Sequence, residues 1–189
     1  MSSSFISFAA EETPRYTYTL GIYNKFILQK DLPRPPKPIF WEADLLADFG
    51  SILSMEKNLY KISESILIDW GLSFCSWGVY QKNEVYKKQY FHSFSIFLSS
   101  RFYLFTYEKI RPFLYYSIGG PSYISEKEFA STQFSNNFVF QDQLGLGLSF
   151  SNKPSIEISL RIFHYSNGDL FPINGGIDVP IVLGLGFKI

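Results

Sequence analysis

Cysteine, methionine and histidine are almost missing from this chain: one Cys, two Met and two His stand among 189 residues. A single cysteine, Cys75, excludes an internal disulfide framework and reads as a packed, inert thiol. His92 and His164 lie far apart in the sequence, so no metal-ligand spacing exists and no metal is expected. Net charge is missing too. Seventeen Lys and Arg balance seventeen Asp and Glu, which removes the basic field a nucleic-acid reader needs. No apolar run reaches the length of a transmembrane helix, and no segment has helical periodicity. The Gly-x-Gly pairs at 145/147 and 184/186 precede no helix, so they are not phosphate loops, and no cofactor is expected.

Aromatics are what the chain has instead: 20 Phe, 13 Tyr and 3 Trp, or 19% of it. Such residues favour strands, and period-2 alternation recurs along the whole sequence. Tyr16, Tyr18, Leu20 and Ile22 alternate with Thr17, Thr19 and Gly21. Further alternating segments are predicted over 41–48, 65–74, 93–104, 114–119, 138–149, 156–166 and the C-terminal IDVPIVLGLGFKI, which makes eight strands. Polar connectors are expected at 30–38, where KDLPRPPKP is a proline-rich loop, and at 51–61, 82–89 and 125–136.

The two faces of these strands decide the class. One is continuous Phe, Leu and Ile. The other carries Glu42, Asp44, Asp48, Asp69, Arg101, Glu157 and Arg161 among Ser, Gln and Gly. A soluble sandwich or lipocalin would enclose the apolar face and wet the polar one. An outer-membrane barrel does the reverse, with lipid outside and paired charges packed inside. Strand lengths near those needed to span, with Tyr, Trp and Phe toward strand ends, favour the membrane version. The expected fold is therefore an all-β, eight-stranded antiparallel transmembrane barrel over residues 15–189. Residues 1–14 read as an N-terminal segment, the remnant of a truncated secretory signal: MSSSFISFAA ends in small residues but lacks a basic start.

One stretch breaks the apolar pattern. After the alternation of Ile156, Ile158, Leu160 and Ile162 comes HYSNGDLFPINGGID, residues 164–178. Strand residues i and i+2 share a face, so His164 and Ser166 continue the lipid-facing row. A serine hydroxyl needs a neighbouring base to become a nucleophile, and His164 stands where such a base would. An acid on the next strand would fix the imidazole tautomer and stabilise the imidazolium. Oxyanion donors are available in the Asn167 amide and the backbone N–H groups around Asn167 and Gly168. A site of this kind on a greasy surface points to a lipid substrate. A blander reading makes His164 an interfacial residue where a strand runs into a loop; His92, on an apolar face without a serine–acid neighbourhood, reads that way.

The motif resembles that of the lipid A 3-O-deacylase family of the PagL type, and RPFLYYSIGGPSYIS and FVFQDQLGLGLSF are similar to that family's middle strands. The resemblance implies an outer-membrane serine esterase of a Gram-negative-type bacterium that removes an ester-linked 3-hydroxyacyl chain from lipid A of lipopolysaccharide. By position it assigns His164 as base and Ser166 as nucleophile, with Asn167 and Asn174 as motif asparagines. Asp178 stands where the family carries glutamate, one methylene longer. Strict alternation on the last strand turns Asp178 inward, away from His164. Bringing the two together requires a bulge, and Pro180 is where one is tolerated. Two other functions stay open at this point: a non-catalytic adhesin or structural barrel, and a lipid A acyltransferase with a donor pocket inside the barrel. Partners are then the membrane and lipopolysaccharide, no nucleic acid, with pairing of two barrels into a homodimer left open.

Overall fold

Eight long strands form one closed antiparallel wall in the protein, whose computed structural model describes residues 16–28, 38, 41, 43–80, 88–129, 132–151 and 155–189. In chain order they are β1 (Tyr16–Asn24), β3 (Phe49–Ser63), β4 (Ile66–Tyr80), β5 (Lys88–Tyr103), β6 (Ile110–Ile124), β7 (Phe138–Phe150), β8 (Ser155–Ser166) and β9 (Ile177–Lys188). One helical turn, α1 (Lys25–Leu28), and a two-residue strand, β2 (Leu45–Leu46), lie between β1 and β3. Each long strand pairs with the next, and β1 pairs with β9 from Thr17↔Lys188 to Ile22↔Leu183, which closes the barrel. Closure leaves no free sheet edge, as the bilayer demands. The N-terminal segment 1–14, most of the proline-rich connection and Glu42 lie outside the described residues.

One of the eight predicted strands is displaced along the chain. The alternation over 41–48 does not make a wall strand; among the described residues only Leu45–Leu46 pairs, and it runs parallel to β9. The wall strand is β3, which contains the whole of the expected connector 51–61. Its polar residues misled for a physical reason: Ser54 and Glu56 are buried inside the barrel, and Lys57 to Lys61 lie toward the short-turn end. Asp44 is correspondingly exposed rather than inside, and its carboxylate accepts a hydrogen bond from the Thr132 hydroxyl at 3.2 Å.

The outer surface is apolar as the alternation predicts. Leu20, Leu53, Phe74, Ile96, Leu98, Ile118, Leu146 and Leu160 are all exposed. Tyr60, Phe105 and Tyr107 ring the end with short turns, and Tyr90, Tyr123 and Phe138 ring the other. These are the two aromatic girdles of a barrel that sits in a membrane.

Inside, the packing is divided. Toward the short-turn end, Arg101 binds Glu56 at 2.7 Å and also Asp69, while Arg161 binds Glu56 at 3.1 Å. Glu157 pairs with Lys188. Toward the other end the interior is aromatic: Trp77, Phe91, Phe163 and Tyr165 form one core with Val139, Ile177 and Val179. The Tyr165 hydroxyl accepts from Trp77 Nε1 at 2.9 Å and from Gln141 Nε2 at 2.7 Å. Cys75 is buried in the same core. The packed polar interior expected from the sequence is confined to the short-turn end; toward the other end Phe163 and Tyr165 occupy inward positions and the packing is largely aromatic.

Arg101 compensates three acids at once, so Arg101→Leu should leave Glu56, Asp69 and Glu157 short of a buried partner. The expected cost is about 3–5 kcal/mol, read as a lowered urea midpoint in detergent micelles with the strand content of the folded state unchanged.

Candidate active site

The site forms at the end of the barrel that carries the longer connections, where β7, β8 and β9 lie side by side. In the register His164 stands opposite Asp142 of β7 and Asp178 of β9. The β8–β9 ladder slips between Arg161 and Phe163: Arg161 pairs with Val182, but Phe163 pairs with Val179. Pro180 and Ile181 therefore face Ile162 alone, which is a bulge. Proline suits this position because a residue outside the ladder needs no N–H to donate. The extra residue reverses the parity of β9, so Val179 turns into the core and Asp178 turns toward His164. Asp178 Oδ1 lies 2.8 Å from His164 Nδ1. Leu46 is paired alongside Asp178, and the Ala47 N–H donates to the Asp178 carbonyl at 2.9 Å. The acid is thus held by β8 on one side and by β2 on the other.

His164 belongs to the outer face, yet it is only 3% exposed. Trp41 covers it: the indole and imidazole centroids are 5.2 Å apart and their planes differ by 11°. Asp178 takes Nδ1 and Trp41 takes one ring face, which leaves Nε2 as the nitrogen available to a nucleophile. Ser166 ends β8 on the same face, half-buried and opposite Phe140. Same-face neighbours two apart have Cα atoms roughly 6.6 Å apart. No hydrogen bond joins Ser166 to His164 among the described residues; catalytic hydrogen bonds of this kind commonly tighten only once substrate is bound.

The β8–β9 loop begins at once after Ser166. Gly168 and Asp169 take positive φ, 62° and 59°, and turn the chain sharply back. Two asparagines lock the turn. Asn174 Oδ1 accepts the Asn167 N–H at 2.7 Å, and Asn174 Nδ2 donates to Asp169 at 2.8 Å. Asn167 Nδ2 donates to the carbonyls of Ile173 at 2.8 Å and Phe171 at 3.3 Å. Both donors of Asn167 are therefore engaged within the loop, and the oxyanion candidate that remains is the N–H of Gly168. The glycines at 175 and 176 are not needed for positive φ. A Cβ on Gly175 would lie 1.8 Å from Thr132 Oγ1 and 2.6 Å from the Gln133 carbonyl, so close approach of the neighbouring loop demands glycine there.

Two residues of this site escape the sequence reading. Trp41 was placed on a strand that does not form. Asp142 projects from the outer row between Phe140 and Leu144, and its carboxylate accepts the N–H of Gly119, a residue with φ of 61° at a β6 irregularity. An acid interrupting a lipid-facing row was the available signal. His92, by contrast, is exposed and stacked on Phe74, the interfacial place expected of it. Among the described residues, no group of three His, Cys, Asp or Glu is arranged to hold a metal ion.

The family model for lipid A 3-O-deacylase (PagL) matches residues 53–186, which include every candidate residue of the motif. The chain belongs to the lipid A 3-O-deacylase family. It is thus a member of a family of lipid A-deacylating hydrolases, built on an outer-membrane type of barrel. A solved structure of the outer-membrane enzyme PagL superposes with a TM-score of 0.54 at 19% identity, covering 93% of this chain and 98% of that one. Neisserial surface protein A (NspA) superposes with a TM-score of 0.51 at 11% identity, covering 93% and 96%. At these identities the two superpositions show the shared barrel fold. A comparison with curated protein sequences gives no match. Within the PagL match lie β8, the loop after it and β9 as far as Gly186; Trp41 and β2 precede it.

Proposed function

We propose that the protein is a serine esterase of the outer membrane that removes an ester-linked 3-hydroxyacyl chain from lipid A of lipopolysaccharide. The observation that carries this reading is the His164–Asp178 pair, set by a bulge onto the lipid-facing side of the wall beside Ser166. An acyl chain lying along the barrel would bring its ester to Ser166 without leaving the membrane.

In the reaction, Ser166 Oγ attacks the ester carbonyl while its proton passes to His164 Nε2. The carbonyl oxygen becomes an oxyanion and receives the Gly168 N–H. Asp178 holds Nδ1–H and stabilises the imidazolium. As the tetrahedral intermediate collapses, the bond to the sugar oxygen breaks and His164 returns its proton to that oxygen. Water, deprotonated by His164, then attacks the acyl-serine ester, releasing the fatty acid and restoring Ser166.

An acyltransferase with an internal donor pocket is disfavoured, because Trp77, Phe163 and Tyr165 fill the barrel behind the site. A purely structural barrel gives no reason for a buried carboxylate–imidazole pair facing lipid. The test is mass spectrometry of lipid A from cells that express the chain or its Ser166→Ala variant. Wild type should yield lipid A lacking one 3-hydroxyacyl chain, and the variant should yield intact lipid A. Equal profiles from cells with equal amounts of folded barrel would overturn the proposal.

A further inference from the structure

The segment before the family match contacts two members of the proposed triad, Asp178 and His164. Residues 44–47 run beside the start of β9: the N–H groups of Asp44 and Leu45 donate to the Gly176 carbonyl at 3.1 Å, and that of Ala47 donates to the Asp178 carbonyl at 2.9 Å. A few residues earlier, Trp41 lies flat on His164, 5.2 Å between centroids, and is itself only 3% exposed. A buried tryptophan usually gives its indole N–H to an acceptor. Here that N–H has no acceptor among the described residues. The side chain is therefore placed by its ring face and not by its polar atom, and the group that face meets is the imidazole.

A cation within about 6 Å of an indole face is attracted by the ring quadrupole, more strongly when water is excluded. His164 becomes such a cation whenever it accepts the serine proton, and it does so in a nearly dry place. Asp178 holds the ring at its Nδ1 edge, and Asp142 stands opposite His164 on β7 with its carboxylate on the Gly119 N–H. Rotation about the Cβ–Cγ bond, which the single hydrogen bond at Nδ1 leaves partly free, is blocked by the stack.

We propose that Trp41 is a positioning residue for deacylation: stacked on His164, it fixes the imidazole plane toward Ser166 and stabilises the imidazolium. This rests on the serine esterase reading of the site. Trp41 acts through His164 and does not touch the reacting atoms. Because its N–H finds no acceptor among the described residues, phenylalanine should replace it with modest loss, while leucine fills space without a ring face.

The test has a spectroscopic arm and a kinetic arm, both on the full chain in micelles. The chain has only two histidines, so imidazole-labelled protein gives two sets of ring resonances, and His92 serves as an internal reference for folding. In Trp41→Leu the His164 ring protons should lose their upfield ring-current shift while His92 stays in place. The kcat for lipid A should fall about tenfold, with KM within about twofold, and Trp41→Phe should restore most of both. Unmoved His164 resonances, or an unchanged kcat in Trp41→Leu, would overturn the proposal. A rise in KM alone would also overturn it, since it would make Trp41 a wall of the substrate groove. Wild-type protein with no deacylase activity would contradict the esterase reading, whereas the resonance shifts test the stack independently of turnover.

Discussion

Ser166→Ala and His164→Ala should each lower deacylation by about a thousandfold or more, and the double variant should be hardly slower than either single one. A nucleophile and its base act as one unit, so removing either removes the activated alkoxide and the second loss has nothing left to act on. The barrel should survive both changes. Ser166 is the last residue of β8 and half-buried, and the outer position of His164 takes no part in the ionic interior or the aromatic core. Heat-modifiable gel mobility and strand content by circular dichroism check that survival, and release of fatty acid from purified lipid A gives the rates. Losses that multiply independently would show that Ser166 and His164 do not form a nucleophile–base pair.

The second large effect belongs to Asp178. Asp178→Asn should cut kcat by up to about 10⁴-fold with KM little changed, because the amide favours the wrong imidazole tautomer and cannot stabilise the imidazolium. The 2.8 Å contact to Nδ1 and the burial of both groups carry this expectation. Asp178→Glu should keep substantial activity, since the family resemblance of the motif implies glutamate at this place. The longer side chain must then be accommodated between β8 and β2, so some loss is expected. A near-silent Asp178→Asn would make the enzyme a Ser166–His164 dyad and reduce the acid to a structural partner of the histidine.

Much of this architecture is written in period-2 alternation. Residues such as Glu157, Ile158, Leu160 and Arg161 declare their faces because lipid and a packed ionic interior impose opposite chemistry on neighbouring positions. Where that contrast weakens, the sequence misleads. In β3 the inward Ser54 and Glu56 are followed by Lys57, Asn58 and Lys61, toward the short-turn end, and the whole strand reads as a polar loop. Around Trp41–Asp48 the reverse occurs: alternation is present, but among the described residues only Leu45–Leu46 finds a strand to pair with. The motif residues are legible because fixed polar spacing interrupts an apolar row. The contact between Asp178 and His164 is legible only in outline. Parity forbids it unless a bulge intervenes, and Pro180 marks where the ladder slips. What alternation cannot show is the third dimension of the site: that Trp41 returns from a distant connection to cover His164, or that Asn167 turns its amide to its own loop. Those contacts depend on where loops close, and loop closure leaves no periodic signature.

The central claim is that Ser166 is the nucleophile, activated by His164 on the lipid-facing wall. Its most direct test is to expose the folded protein in micelles to a long-chain alkyl phosphonofluoridate, which phosphonylates an activated serine and stays attached. Peptide mapping by mass spectrometry then locates the adduct. A single adduct on Ser166, stoichiometric with lost deacylase activity and absent from His164→Ala, is the predicted result. An adduct on another residue, or full inactivation with Ser166 unmodified, would contradict the account.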